Sequence, residues 1–321
     1  MSGRFPVVSG PIEDFDTHGA NRGLTAIEVR EGRSTNIGSL AILRVLPTKN
    51  RRTIGPWCFV DLMQADDVER PPPLEIGPHP HIGLSTVTWL FAGSALHTDS
   101  LGTQQIIRPG QLNLMTSGHG IAHAEEGVDT DETWEQTGTM GVQMWLAQTE
   151  STRHGESGFQ HHAELPETEV GNAVAEILIG ELGDVRSPAA FSHPTVGLDV
   201  TLRGPTDLPV DPSFEHAVVP VDKPVSVGGD IVEPGSLAIV PQDRDVLHLS
   251  ARSSPARLMV LGGAPLGDRV KMWWNFVART TEELTEAWHD WQIGNEDRFG
   301  PVPSSLDRIE APSPPWIRKN D

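Results

Sequence analysis

The 321-residue sequence contains no tyrosine and a single cysteine, Cys58. No phenol can therefore act as an acid here, and no disulfide can close within the chain. The lone thiol fits a reducing compartment, and the stretch Met1–Asp16 lacks the basic segment and apolar core of a secretory signal. Cytoplasmic localisation is the expectation. Apolar runs approaching the ~20 residues of a membrane span are also missing. Positive charge is scarce, since 24 Lys and Arg against 44 Asp and Glu give a formal net charge of −20. Such a surface repels phosphate backbones, which speaks against direct nucleic-acid binding. The one basic run, Lys49-Asn50-Arg51-Arg52, reads as a solvated loop.

What the sequence does hold is glycine and proline, 32 and 27 of them, set between short runs rich in Val, Ile, Thr and Leu. That rhythm predicts an all-β protein built from hairpins. The expected strands are 40–46, 86–91, 104–107, 112–115 and 141–146 in the first half, and 174–179, 198–202, 216–221, 237–240 and 256–261 in the second. Pro71-Pro72-Pro73 is expected as a loop, because proline can neither donate to a ladder nor continue a helix.

An internal repeat organises these strands. The run from Ile106 to Met115 is echoed by the run from Ile231 to Val240, with Pro109 and Pro234 marking the same turn at an offset of 234 − 109 = 125. Without a gap, that offset pairs His123 with His248 and Glu125 with Ser250. Two related barrels in tandem follow, one over residues 1–150 with a metal site, the other over 151–321 without one. Residues 148–158 between them read as a linker. Thr280 with Glu283 has the capping-box pattern, and Leu284, Ala287, Trp288 and Trp291 recur at helical spacing, so a short structural helix is expected near the end. The Pro- and Ser-rich tail after Gly300 is expected to drape over the surface.

His79 and His81 stand two apart, and so do His123 and Glu125. Side chains two apart on a strand share a face, so two such pairs on neighbouring strands can converge four donors inside a barrel. Imidazole and carboxylate suit iron, manganese, nickel, copper or zinc. The second barrel has no His-x-His and a serine in place of the carboxylate. Three imidazoles and one carboxylate leave two positions of an octahedral ion open, as a catalytic site requires. Glu125, released from the ion, could serve as a general base.

The segment Pro78-His79-Pro80-His81 with its continuation to Leu90, Asp99-Ser100-Leu101-Gly102, and the stretch from Pro109 to Glu125 resemble the pirin family of the cupin superfamily. Residues 54–61, 273–280 and Arg298-Phe299-Gly300 resemble other segments of the same family. The resemblance implies a bicupin: two cupin-type barrels (double-stranded β-helices), the first holding Fe(II) through His79, His81, His123 and Glu125. It further implies a quercetin 2,3-dioxygenase-like activity in some members and regulatory binding to proteins in others.

Three positions depart from the family pattern. Ser85 replaces a common glutamate, His119 a common arginine and Leu62 a frequent histidine, and all three are expected near the pocket mouth. His119 reads as a loop residue, and His97 as a strand residue near the rim. Among the tryptophans, most are expected in the core and one beside the site. Three functions stay open: an Fe(II)-dependent dioxygenase of a small aromatic, flavonol-like substrate, a non-enzymatic iron or redox sensor that binds a protein partner, or a stress protein whose metal only stabilises the fold. Each is compatible with a monomer or a homodimer.

Overall fold

The computed structural model describes residues 26–37, 40–63, 74–128 and 138–317, so Pro71-Pro72-Pro73 lies outside the described residues. The first half forms β1 (Glu28–Glu31), β2 (Arg33–Ile37), β3 (Leu40–Leu46), β4 (Trp57–Met63), β5 (Glu75–His81) and β6 (Leu84–Ala92). It continues with β7 (Ala95–Asp99), β8 (Gln104–Ile107), β9 (Leu112–Thr116), β10 (Ile121–Gly127), β11 (Met140–Ala147) and β12 (Gly158–His162). The second half opens with β13 (Glu167–Val170), β14 (Ala173–Ile179), β15 (Glu181–Leu182), β16 (Val185–Arg186), β17 (Thr195–Leu202), β18 (Thr206–Pro209) and β19 (Glu215–Pro220). There follow β20 (Val225–Val227), β21 (Asp230–Val232), β22 (Ser236–Val240), β23 (Val246–Ala251), β24 (Ala256–Gly263), the hairpin β25 (Lys271–Trp273) with β26 (Phe276–Ala278), and the helix α1 (Thr281–Ile293). Every strand expected from the alternating pattern is present.

Two barrels share one topology. In the first, the sheet β12-β9-β6-β11-β4-β3-β2 is completed by β5-β10-β7-β8; in the second, β1-β22-β19-β24-β17-β14-β13 is completed by β18-β23-β20-β21. Element for element the orders coincide, as a duplication predicts. Each large sheet also takes an edge strand from across residue 150, because β1 pairs with β22 and β12 pairs with β9. A cut at residue 150 would therefore strand one edge of each sheet on the wrong side.

The register corrects the repeat. Ala95 pairs with Ile107 and Val225 with Val232, which keeps the offset at 232 − 107 = 125. On the next strand Ala95 pairs with Gly127 and Val225 with Ala251, an offset of 251 − 127 = 124. The turn before β23 is thus one residue shorter than the turn before β10. A one-residue slip moves every side chain to the other face of a strand. Leu247 and Leu249, not His248 and Ser250, match His123 and Glu125. His248 points outward, exposed, with Nδ1 2.6 Å from Asp207 Oδ1.

The large sheets pack back to back through one apolar cluster that includes Trp57, Val87, Trp89 and Leu146 from the first barrel and Ala217, Val219, Ile239 and Leu261 from the second. Buried indoles need partners for their N–H groups. Trp57 donates to the carbonyls of Val196 and Gly262, both at 3.1 Å, and Trp89 donates to Asp199 at 2.8 Å. Arg51 also reaches this seam. It is buried, with its guanidinium 3.8 Å from Glu215, so the basic run is not solvated throughout.

Residues 148–158 are not a loose spacer either. Gln148 accepts from the Gly118 amide at 2.9 Å, and the buried Arg153 binds Glu150 and Glu283. Thr280 caps α1 by accepting from the Glu283 amide, and Gly294 ends it in the left-handed region at φ 70°. The helix buries Leu284, Ala287 and Trp291 against Trp273, Phe276, Phe299 and Ala122, covering the outer face of β10. Beyond it the tail lies along the first barrel, where Ser304 and Ser305 donate to Glu126 and Ile309 donates to the Pro78 carbonyl.

Candidate metal centre

β5 and β10 are antiparallel neighbours, with His79 opposite His123 and His81 opposite Ile121. A bulge then places Ile76 opposite Glu125. Gly77 sits in that bulge, and a Cβ there would meet the Asp307 carbonyl oxygen at 2.1 Å, so only glycine lets the tail close against the strand. The fold brings His79, His81 and His123 together with their donor atoms within 4.8 Å of one another, all buried. Ring centroids lie 4.3 to 5.0 Å apart.

Hydrogen bonds decide which nitrogens face inward. His79 Nδ1 donates to the Gly77 carbonyl at 2.9 Å, and His81 Nδ1 donates to the Asn275 carbonyl at 3.0 Å. Both rings therefore keep their lone pair on Nε2. His81 Nε2 lies 3.1 Å from His123 Nε2. Two adjacent ligands of an octahedral ion with bonds of about 2.1 Å are about 3 Å apart, so this separation fits a shared cation. Burial pushes the His79 imidazole down to about 4, and burial with the neighbouring histidines holds His81 and His123 well below their ordinary range. The cluster offers neutral lone pairs, the form a metal requires.

Glu125 takes a less direct place. It forms a second donor set with His97 and His123, and no one set among the described residues holds all four sequence-derived ligands. Burial raises its carboxyl above the usual range, while Thr88 Oγ1 donates to it at 3.3 Å.

His97 is the residue that sequence reasoning misplaced. Rather than standing at the rim, it is buried opposite Glu125 on the strand next to β10. Its Nε2 is 3.0 Å from Asp99 Oδ2, its Nδ1 is 3.4 Å from His123 Nδ1, and its ring stacks on Phe159 at 4.5 Å. The signal was available, since His97 and Asp99 have the same i, i+2 spacing as the two ligand pairs. Other positions resolve simply. Trp145 is the tryptophan beside the site, edge-on to His81 at 5.2 Å and stacked on Phe59 at 4.0 Å. His119 is exposed in its turn, Ser85 is buried against the Thr116 hydroxyl, and Leu62 lies in the core between the barrels, so none of the three lines the histidine cluster. A cavity of about 830 Å³ opens away from the cluster, at the mouth of the second barrel beside His216 and Phe214.

The Pirin family model matches residues 39–146, and the model of the pirin C-terminal cupin domain matches residues 197–300. A Pseudomonas aeruginosa protein with a provisional quercetin 2,3-dioxygenase name is 38% identical over 283 residues, covering 87% of each chain. A pirin-like protein of Caulobacter vibrioides is 34% identical over 83% of this chain and 93% of its own. Among solved structures, a quercetin 2,3-dioxygenase from Acinetobacter baumannii superposes with a TM-score of 0.83 at 34% identity, over 92% of this chain and 97% of that one. Two matching domain models, full-length relatives and a shared bicupin topology lead to one conclusion: this chain belongs to the pirin family.

Proposed function

We propose that this chain is a metal-dependent dioxygenase of flavonol-like (quercetin-like) substrates, working in the cytoplasm with one divalent ion held by His79, His81, His123 and Glu125. Iron(II) is the proposed ion, and manganese, nickel, copper and zinc suit the same donors. One observation carries the proposal: His81 Nε2 and His123 Nε2 face each other at 3.1 Å, with His81 Nδ1 already committed to a backbone carbonyl. The dioxygenase names of relatives from Pseudomonas aeruginosa and Acinetobacter baumannii support the substrate class.

When bound, iron would supply Lewis-acid polarisation of a ring hydroxyl and a route for electrons to dioxygen. The remaining work falls to side chains. Glu125, with its carboxyl raised by burial and held by the Thr88 hydroxyl, is the base that takes the substrate's hydroxyl proton when it is released from the ion. Trp145, beside His81 and backed by the stacked Phe59, supplies the apolar aromatic side of the centre for a planar ring. Burial of the three imidazoles keeps bulk water from competing for the centre.

Oxygen uptake by iron-loaded protein with quercetin tests the proposal. Turnover should disappear in His81→Ala and in Glu125→Ala. Iron-loaded protein that consumes no oxygen with any of a panel of flavonols would refute it and favour a protein-binding sensor.

A further inference from the structure

Asp99 and His97 form a chain of contacts that ends on His123. The Asp99 Oδ1 atom accepts from the amides of Leu101 and Thr103 at 2.9 and 3.0 Å, which fixes the carboxylate in its turn. Its other oxygen, Oδ2, faces His97 Nε2 at 3.0 Å. A carboxylate oxygen can only accept, so His97 carries a proton on Nε2, and in the neutral ring this leaves Nδ1 bare. That bare nitrogen faces His123 Nδ1 at 3.4 Å. His123 must then carry its proton on Nδ1, which leaves its Nε2 lone pair facing that of His81 at 3.1 Å.

We propose that Asp99, acting through His97, sets the tautomer of His123 and so aims the His123 lone pair into the metal centre. Asp99 is a positioning residue in this scheme, and His97 is the intermediary rather than a ligand. The inference rests on the metal-binding reading above. A metal-bound histidine generally donates its other N–H to an acceptor that fixes its orientation. For His79 and His81 that acceptor is a backbone carbonyl; for His123 it is another imidazole, which can accept only if something behind it dictates its tautomer. In the second barrel the counterpart of His97 is Val227, the hairpin turns at Gly228-Gly229 before any position that matches Asp99, and the counterparts of His123 and Glu125 are Leu247 and Leu249. Relay and ligands are absent together.

Asp99→Asn separates this role from a structural one. The asparagine keeps Oδ1 for the two amides but presents an N–H₂ group to His97, which inverts the proton positions along the relay. Nitrogen-15 NMR of the imidazoles in metal-free protein should show His97 protonated on Nε2 in the wild type and on Nδ1 in the variant. Cobalt(II) titration followed by its visible absorption should show affinity falling roughly 10- to 100-fold in Asp99→Asn. His97→Phe, which retains the stack on Phe159, should lose affinity similarly, and adding Asp99→Asn to it should cost nothing more. Wild-type protein that binds no cobalt overturns the metal reading and the relay with it. Normal wild-type binding with an unaltered Asp99→Asn, or an equal further loss in the His97→Phe background, overturns the relay alone.

Discussion

Leu247 occupies in the second barrel the register position that His123 occupies in the first. Around it the same exchange recurs. Leu208 pairs with Leu247 where His79 pairs with His123, and Val210 donates to Asp245 where His81 faces Ile121. The two interiors are the same framework lined once with donors and once with apolar side chains.

Installing the missing pair in the second barrel should therefore fail. Leu247→His with Leu249→Glu adds two donors among Leu208, Val225 and Val232, without the other histidines. Burying an unpaired carboxylate there should cost about 3–5 kcal/mol. Urea unfolding would record the loss, and elemental analysis should show the metal content per chain unchanged. A gain of a second equivalent would contradict the assignment.

The exchange extends to an ion pair. Arg44 and Asp61 are buried and bonded through two contacts at 2.8 and 2.7 Å, and their counterparts in the second barrel are Ile177 and Leu198. Asp61→Leu alone leaves a buried guanidinium unpaired and should destabilise by about 3–5 kcal/mol. Arg44→Ile together with Asp61→Leu reproduces the apolar pair and should recover most of that loss. A double variant as unstable as the single one would show that the pair contributes beyond its own charges.

Metal binding should be visible as stability. With ion at about 100 times its dissociation constant, the folded state gains about 2.7 kcal/mol. Calorimetry should show the melting temperature rising with added metal and falling with chelator. His123→Phe should be insensitive to both. A wild-type transition indifferent to metal would count against the centre.

Acid should weaken the second barrel through His216. Burial holds that imidazole down to about 4, whereas an unfolded chain protonates histidine near 6.5. Between those values the unfolded state binds more protons, so stability is greatest above about pH 6.5 and is lost as pH falls toward about 4. The full contribution is on the order of 3 kcal/mol. Compared by urea titration across that window, His216→Gln should lose markedly less stability than the wild type. Equal slopes would exclude His216 as the source.

Much of this protein is legible in its amino-acid sequence. Strand periodicity exposed the barrels because side chains two apart share a face, and the same rule singled out His79 with His81 and His123 with Glu125. Thr280, Glu283 and Gly294 announced the helix because capping chemistry is local. His97 and Asp99 carried the same spacing, yet nothing in the chain says which strand lies beside which, and their contact with His123 exists only across strands. The shorter turn before β23 was equally silent. A gap of one residue is trivial along a sequence, but in a strand it decides whether His248 or Leu247 faces the interior.

The sequence by itself determined the fold class, the duplication and the donor types, because these follow from periodicity and residue chemistry along one chain. Only the tertiary structure decided which nitrogens face one another, which residues of the second barrel stand in the place of the ligands and what stands behind each ligand. Those outcomes depend on register between strands distant in sequence, where a single step turns a donor from the interior to the solvent.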